Sequence, residues 1–386
     1  MGIQNELRKF VAPEFIFGNN SRLLVNRYVE NYGGKHVFLV TDKGISEAGW
    51  TDEMINILEQ RNFKITKFDA ITPNPRDHEV MAGAELYKES SCDVIVAIGG
   101  GSVMDCAKGI GIIATNGGDI LSYEGVDQII NAMPPLICIP TTAGSSSDVS
   151  QFAIVNDTER KNKIAICSKS IVPDVALIDP VVLTTMSPYL TACTGIDTLV
   201  HAIEAYVSIA ASPITDLHAI ESIRLISSNI VDAINNPDNL QLRGLIMQAS
   251  LQAGLAFSNA SIGCVHAMSH GLGGFLDLPH GECNALLLPH VINFNFSSAP
   301  DRFNRIAEVM GCDTRGMSEK ESCNKLFDFI VDLQKKCGIK GGLEPRGVKF
   351  SDIGYLAKNA MNDICMATNP RVPNHRDVEV IYQEAL

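Results

Sequence analysis

The order of apolar and polar positions divides the chain into two textures. In the first half, short β-rich runs alternate with helical patterns: a strand at 36–41, a helix through 54–58, a strand at 64–68 and a helix over 77–88. The run 93–98, Asp-Val-Ile-Val-Ala-Ile, is apolar on both faces, as in a parallel strand covered on two sides, and it ends in Gly99, Gly100, Gly101 and Ser102. Further strands are predicted at 136–140, 152–156 and 175–179. Strand and helix in alternation predict a doubly wound parallel sheet. From about Thr184 the period becomes helical, over 196–208, 214–235, 242–257 and 301–310, and β-branched alternation almost disappears. The expected fold class is therefore α/β plus all-α, with an α/β domain at 1–183 and a helical domain at 184–386. No Gly/Ser linker separates them, so the domains should pack directly, with a ligand in the cleft between them.

Composition narrows the function. At 386 residues, 46% hydrophobic and 19% charged, the chain can bury two ordinary cores, and it has no apolar run long enough to span a bilayer. The segment 1–17 mixes charges with short apolar pieces and lacks the apolar core of a secretory signal. Eleven cysteines are scattered singly without a C-x-x-C pair, which reads as reduced thiols in a cytoplasmic protein. A formal charge of -13 opposes nucleic acid and anionic membranes as partners.

Two loops carry phosphate chemistry. Gly99, Gly100, Gly101 and Ser102 lie between a buried strand and a helix predicted from Val103 onward, where the backbone can approach a pyrophosphate and the helix N-terminus offers free N–H groups. This is not the G-x-G-x-x-G fingerprint, and alone it is also compatible with a plain tight turn. A second loop, Pro140, Thr141, Thr142, Ala143, Gly144, Ser145, Ser146 and Ser147, follows another apolar strand and is rich in hydroxyls that can bond ribose or phosphate. Asp42 ends the first strand, where a carboxylate can accept from a ribose and repel a 2′-phosphate, favouring NAD over NADP; a strand-terminal turn is the bland alternative.

Metal-ligating residues cluster in the helical half. Asp197 and His201 stand four apart on one helix face, and His266, His270 and His280 fall within a single stretch. His266 and His270 share a face, Gly271, Gly273 and Gly274 should break the helix, and His280 can return from the following turn. Three imidazoles and a carboxylate form a borderline nitrogen and oxygen site suited to Fe2+, Zn2+, Mn2+ or Co2+. Spacing alone leaves open which of His201, His266, His270 and His280 coordinate.

The Gly-Gly-Gly-Ser-x-x-Asp run from Gly99 to Asp105, Pro140-Thr141-Thr142-Ala143-Gly144, Gly195-x-Asp197-x-x-x-His201, the histidine-rich stretch and Asn369-Pro370-Arg371 occur in the order and spacing of one family. Over essentially its whole length the chain resembles the iron-containing (group III) alcohol dehydrogenases. The resemblance implies an N-terminal Rossmann-like domain with a C-terminal helical domain, as in dehydroquinate synthase and glycerol dehydrogenase. It assigns Asp197, His201, His266 and His280 to one divalent metal, with Fe2+ the first choice and Zn2+ the second, and leaves His270 beside the site. Asp42, Gly99, Gly100, Gly101, Ser102, Asp105, Thr141, Thr142, Ser145 and Lys163 fall on nucleotide-contacting positions, with NAD favoured over NADP. Phe152, Phe257 and Cys365 match substrate-pocket positions. Many relatives continue the second loop with Thr-Gly-Ser-Glu, where this chain has Ser145, Ser146, Ser147 and Asp148.

The implied reaction interconverts a small primary alcohol or diol and its aldehyde by hydride transfer from a metal-bound alkoxide to NAD. His270 is the candidate proton relay, with orientation of a ligand as its other role. A homodimer or larger homo-oligomer is expected. The rival readings are dehydroquinate synthase-type chemistry and a regulatory protein that has lost catalysis. No basic phosphate-binding cluster accompanies the histidines, and all four candidate ligands are present, so both rank behind the dehydrogenase.

Overall fold

The computed structural model describes residues 9–386. The reading of 1–17 as lacking an export signal therefore falls partly outside the described residues. In chain order the first part comprises β1 (Glu14–Phe17), α1 (Val25–Asn31), β2 (His36–Val40), α2 (Lys43–Glu47), α3 (Trp50–Glu59), β3 (Lys64–Phe68), α4 (Asp77–Glu89), β4 (Val94–Gly99), α5 (Gly101–Asn116), β5 (Gly125–Val126), β6 (Leu136–Pro140), β7 (Phe152–Asp157), β8 (Asn162–Cys167) and β9 (Val175–Ile178). From Pro188 onward the regular elements are helical: α6 (Pro188–Val207), α7 (Pro213–Asn235), α8 (Leu240–Ala260), α9 (Cys264–Leu276), α10 (His280–Asn295), α11 (Pro300–Val309), α12 (Glu319–Lys336), α13 (Ile353–Asn362) and α14 (His375–Ala385).

Six strands form a parallel sheet in the order β1-β9-β6-β4-β2-β3, and each of its pairings is parallel. Every residue of β4 is buried, because alternate side chains enter two different cores. Ile95 and Ala97 join the core beneath α4 and α5, whereas Val94, Val96 and Ile98 join the one beneath α1 and α3. Burying each such branched side chain contributes roughly 1.5–3 kcal/mol, which is why this run reads as continuously apolar.

The predicted strand at 152–156 is real but belongs elsewhere. It pairs antiparallel with β8 in a separate three-stranded sheet, order β5-β8-β7. The glycines after His270 also act differently from expectation: α9 runs unbroken through Gly271, Gly273 and Gly274 to Leu276 and ends at Asp277 in the left-handed region, φ 55°. The reason is packing against β8. A Cβ on Gly273 would meet Lys163 Nζ at 3.0 Å, and one on Gly274 would meet Asn162 Cα at 2.8 Å. Absence of side chains lets the helix lie on the strand, and that gain outweighs the low helix propensity of glycine.

Helix α10 contains Pro289, which leaves the carbonyl of Ala285 without its helical donor. Gln334 of α12 supplies one, its Nε2 donating to Ala285 O at 2.6 Å. The largest core fills the helical half and reaches Ile178 and Ala176 of β9, so the two textures pack directly on each other. All eleven cysteines are free, and no helix among the described residues is long and apolar enough to cross a membrane.

Candidate metal and nucleotide site

Helix α6 starts at Ser187, whose side chain accepts from the Leu190 N–H, with Pro188 in the first turn. Along it, Asp197, His201 and Glu204 succeed one another at steps of four and three, which places them on one face. Helices α9 and α10 bring His266 and His280 to the same point. Asp197 Oδ1 lies 3.9 Å from His201 Nδ1, 3.8 Å from His266 Nε2 and 3.9 Å from His280 Nε2.

These residues fit a metal. Bonds of about 2.1 Å place neighbouring donor atoms of a tetrahedral site about 3.4 Å apart. Asp197, His201 and His266 already hold donor atoms within 4.8 Å of one another, and His280, 3.9 Å from Asp197, would have to close on the other two histidines to complete the set. His201 Nδ1 is buried without any hydrogen-bond partner. Asn284 Nδ2 sits among the other lone pairs, 2.6 Å from Asp197 Oδ1, 3.1 Å from His266 Nε2 and 3.2 Å from His280 Nε2. Its N–H groups stand in for the cation that the same three acceptors would attract. Desolvation pushes His201 down to about 4 and His266 down to about 3, outweighing the pull of Asp197, and lowers His280 as well. Neutral imidazoles with available lone pairs are what a metal requires.

A second ring of groups orients these donors. Glu204 Oε2 meets His266 Nδ1 at 2.6 Å, and Ser269 Oγ lies 3.1 Å from His280 Nδ1. Burial pushes the Glu204 carboxyl up to about 7, against the backbone N–H groups of Gly263, Val265 and His266 that draw it down. His270 does not join the cluster at Asp197: its Nδ1 pairs with Asp363 Oδ2 at 2.7 Å, and its ring stacks on His280 at a centroid distance of 5.4 Å. Although Asp363 is buried, the His270 charge and hydrogen bond, aided by the Cys365 N–H, hold its carboxyl down at about 2. Phe257 stacks on His201 at 4.4 Å, Phe152 lies 6.2 Å from Phe257, and Cys365 joins the same small apolar cluster.

The two glycine- and hydroxyl-rich loops meet at the C-terminal ends of β4 and β6. Thr141 N–H donates to Gly99 O at 2.9 Å. A Cβ on Gly100 would contact Thr142 Cγ2 at 3.2 Å, and one on Gly101 would stand 2.7 Å from Ser145 Oγ. No side chain caps α5, and Thr141 Oγ1 is buried without a partner. Free N–H groups at an uncapped N-terminus beside an unpaired hydroxyl fit a nucleotide phosphate. Ser102 Oγ accepts from the Asn74 N–H at 3.1 Å, and Lys163 Nζ donates to Asn74 Oδ1 at 2.7 Å. Asp105 lies behind the loop, buried, with its Oδ1 taken by Ser147 Oγ at 2.5 Å. Asp42, one strand over, caps α2 by accepting from the Ile45 N–H at 2.9 Å. The second loop also rests on the ligand-bearing helix, since Thr198 Oγ1 donates to Ala143 O at 3.0 Å and a Cβ on Gly144 would meet Thr194 Cβ at 2.8 Å.

Sequence reasoning missed Glu204, Asn284, Asp363 and Asn74. Glu204 stands three after His201 and Asn284 four after His280, so helical spacing from the histidines offered a signal for both. For Asp363 and Asn74 only the fold supplies the proximity.

Residues 12–180 match the family described as iron-containing alcohol dehydrogenase, and residues 191–386 match the C-terminal part of the same family. The chain is 41% identical over 371 residues to the 1,3-propanediol dehydrogenase of Klebsiella pneumoniae, covering 96% of each chain. It is 36% identical to the NAD-dependent methanol dehydrogenase of Bacillus methanolicus, covering 98% of this chain and 99% of that one. A crystal structure of a 1,3-propanediol oxidoreductase superposes with a TM-score of 0.95 at 40% identity, covering 99% of this chain and all 100% of the other. On these matches, which span both halves, the chain belongs to the iron-containing alcohol dehydrogenase family.

Proposed function

We propose that this chain is a metal-dependent NAD(H) dehydrogenase that interconverts a small primary alcohol or diol and its aldehyde, with Fe2+ as the metal and Zn2+ as the second choice. The observation that carries this reading is the contact between the two halves of the site: the hydroxyl-rich loop beside α5 rests on Thr194 and Thr198 of α6, one turn from Asp197 and His201. A nucleotide at that loop and a metal at those donors would be neighbours. Relatives named for propanediol and methanol support a small alcohol.

When bound, the metal supplies Lewis-acid polarisation of the substrate oxygen and NAD supplies the hydride acceptor. Asp197, His201, His266 and His280 would hold the metal. Gly99, Gly100, Gly101, Ser102, Thr141, Thr142, Ser145 and Lys163 would hold the nucleotide, with Asp42 toward its ribose. Phe152, Phe257 and Cys365 form the apolar wall that orients the substrate carbon and excludes water. His270, held at Nδ1 by Asp363, would in its neutral form use Nε2 to accept the alcohol proton, becoming the imidazolium that the Asp363 carboxylate stabilises, and then pass the proton on. In this reading 1–183 is the nucleotide-binding domain and 184–386 the metal-binding domain of a cytoplasmic homo-oligomer.

The test is NADH formation over a panel of short alcohols and diols, with protein stripped of metal and reconstituted anaerobically with Fe2+, Zn2+, Mn2+ or Co2+. Metal-dependent turnover is expected. Silence across the panel with NAD still bound would overturn the proposal.

A further inference from the structure

The start of α9 is secured by side chains remote in sequence. Its cap residue, Gly263, contributes no side chain. Glu204 Oε1 accepts from the Val265 N–H at 2.7 Å, and Asn369 Oδ1 accepts from the Cys264 N–H at 3.1 Å. Asn369 is itself locked in a reciprocal amide pair with Asn295 at the end of α10, with bonds of 2.9 and 2.8 Å. A Cβ at Gly263 would lie 2.8 Å from Asn369 Oδ1 and 3.1 Å from Glu204 Oε1, so the glycine makes room for both. First-turn N–H groups that a local cap would satisfy are met instead by α6 and by the Asn369-Pro370-Arg371 segment.

The second oxygen of Glu204 faces His266 Nδ1 at 2.6 Å, while His266 Nε2 faces Asp197 Oδ1 at 3.8 Å. With Oε1 held by the Val265 N–H, the Glu204 side chain is fixed with Oε2 against His266 Nδ1, and an acceptor at Nδ1 keeps the imidazole proton on Nδ1. The Nε2 lone pair is then the one turned toward the donor cluster. We infer that Glu204 is the positioning residue for His266, fixing both its tautomer and the start of the helix that carries it, so that Nε2 is presented to the metal. This rests on the proposal that the cluster holds a metal. Carboxylate support of a ligating histidine typically changes metal affinity 10–100-fold.

The experiment is chelator competition with Co2+ and Zn2+ on the full chain, comparing wild type with Glu204→Gln. The amide keeps the size but offers one acceptor to two donors, and its NH2 turned to Nδ1 would move the imidazole proton onto Nε2. Metal affinity should fall about 10–100-fold, with NADH binding and circular dichroism retained. In a His266→Ala background the same change should cost nothing further, because its effect runs through that imidazole. An affinity within about twofold of wild type, or an undiminished loss in the His266→Ala background, would overturn the inference. Should Glu204→Gln not fold, Glu204→Asp, which withdraws the acceptor by one methylene, is read against the same outcomes. Wild type that binds neither metal would instead refute the metal proposal itself.

Discussion

Gly281 packs directly on the carbonyl of Cys193: a Cβ at Gly281 would fall inside the van der Waals envelope of the Cys193 oxygen and lie 2.8 Å from its carbon. That contact sets the distance between the start of α10, which carries His280, and α6, which carries Asp197. Gly281→Ala should therefore push the two ligands apart. We expect a stability loss of about 1–3 kcal/mol from the overpacking, together with a weaker metal site. Chelator competition and denaturant melts would show both; an alanine variant with unchanged metal affinity would mean that the ligand spacing is set elsewhere.

Gly101 makes the corresponding contact on the nucleotide side, where a Cβ would stand 2.7 Å from both Cβ and Oγ of Ser145. Gly101→Ala should separate the two loops and weaken NADH binding by about tenfold or more, equivalent to about 1.4 kcal/mol. Metal affinity should stay as in wild type, because the donors stand on α6, α9 and α10. Fluorescence titration of NADH decides this, and unaltered binding would remove these loops from the cofactor site.

How much of this was legible in the chain depends on how local each signal is. The strand ending at Gly99 announced itself because both its faces are buried, and Asp197 with His201 announced themselves because one helical turn separates them. Strand β1, Glu14–Phe17, gave no such signal: it is a four-residue edge strand, largely exposed. The glycines after His270 read as a helix break because propensity is local, whereas the strand β8 that they accommodate is about a hundred residues away in sequence. Asp363 reaches His270 across 93 residues and Asn369 reaches Cys264 across 105. No periodicity reports contacts of that range.

His270 offers a test that separates proton handling from metal binding. Its Nδ1 is engaged by Asp363, and it stands outside the four donors at Asp197. His270→Asn should keep metal content near wild type and leave the KM for NAD little changed, while kcat falls by about 10²–10⁴, the usual contribution of a positioned acid or base. Loss of metal in the variant would instead make His270 a support for its neighbour His280, and unchanged kcat would dispose of the proton role.

Asp148 links the second loop to the pH dependence of stability. It is buried, and desolvation pushes its carboxyl up to about 6 from 3.8, with its own backbone N–H and the nearby charge of Lys108 pulling it back only in part. An acid whose pKa is higher in the folded chain than in the unfolded one binds its proton more tightly when folded. Its contribution to stability therefore falls as pH rises from about 4 to about 6, and the full cost of the buried charge persists above that window. The shift corresponds to on the order of 3 kcal/mol. Asp148→Asn keeps the shape and an acceptor oxygen but never ionises. It should therefore be more stable than wild type at about pH 8, by up to that amount, and the advantage should vanish on acidification to about pH 4. Denaturant midpoints of the two proteins at both pH values measure it. A difference independent of pH would show that Asp148 has the same pKa in the folded and unfolded chains, its desolvation being offset in full by Lys108 and the backbone N–H.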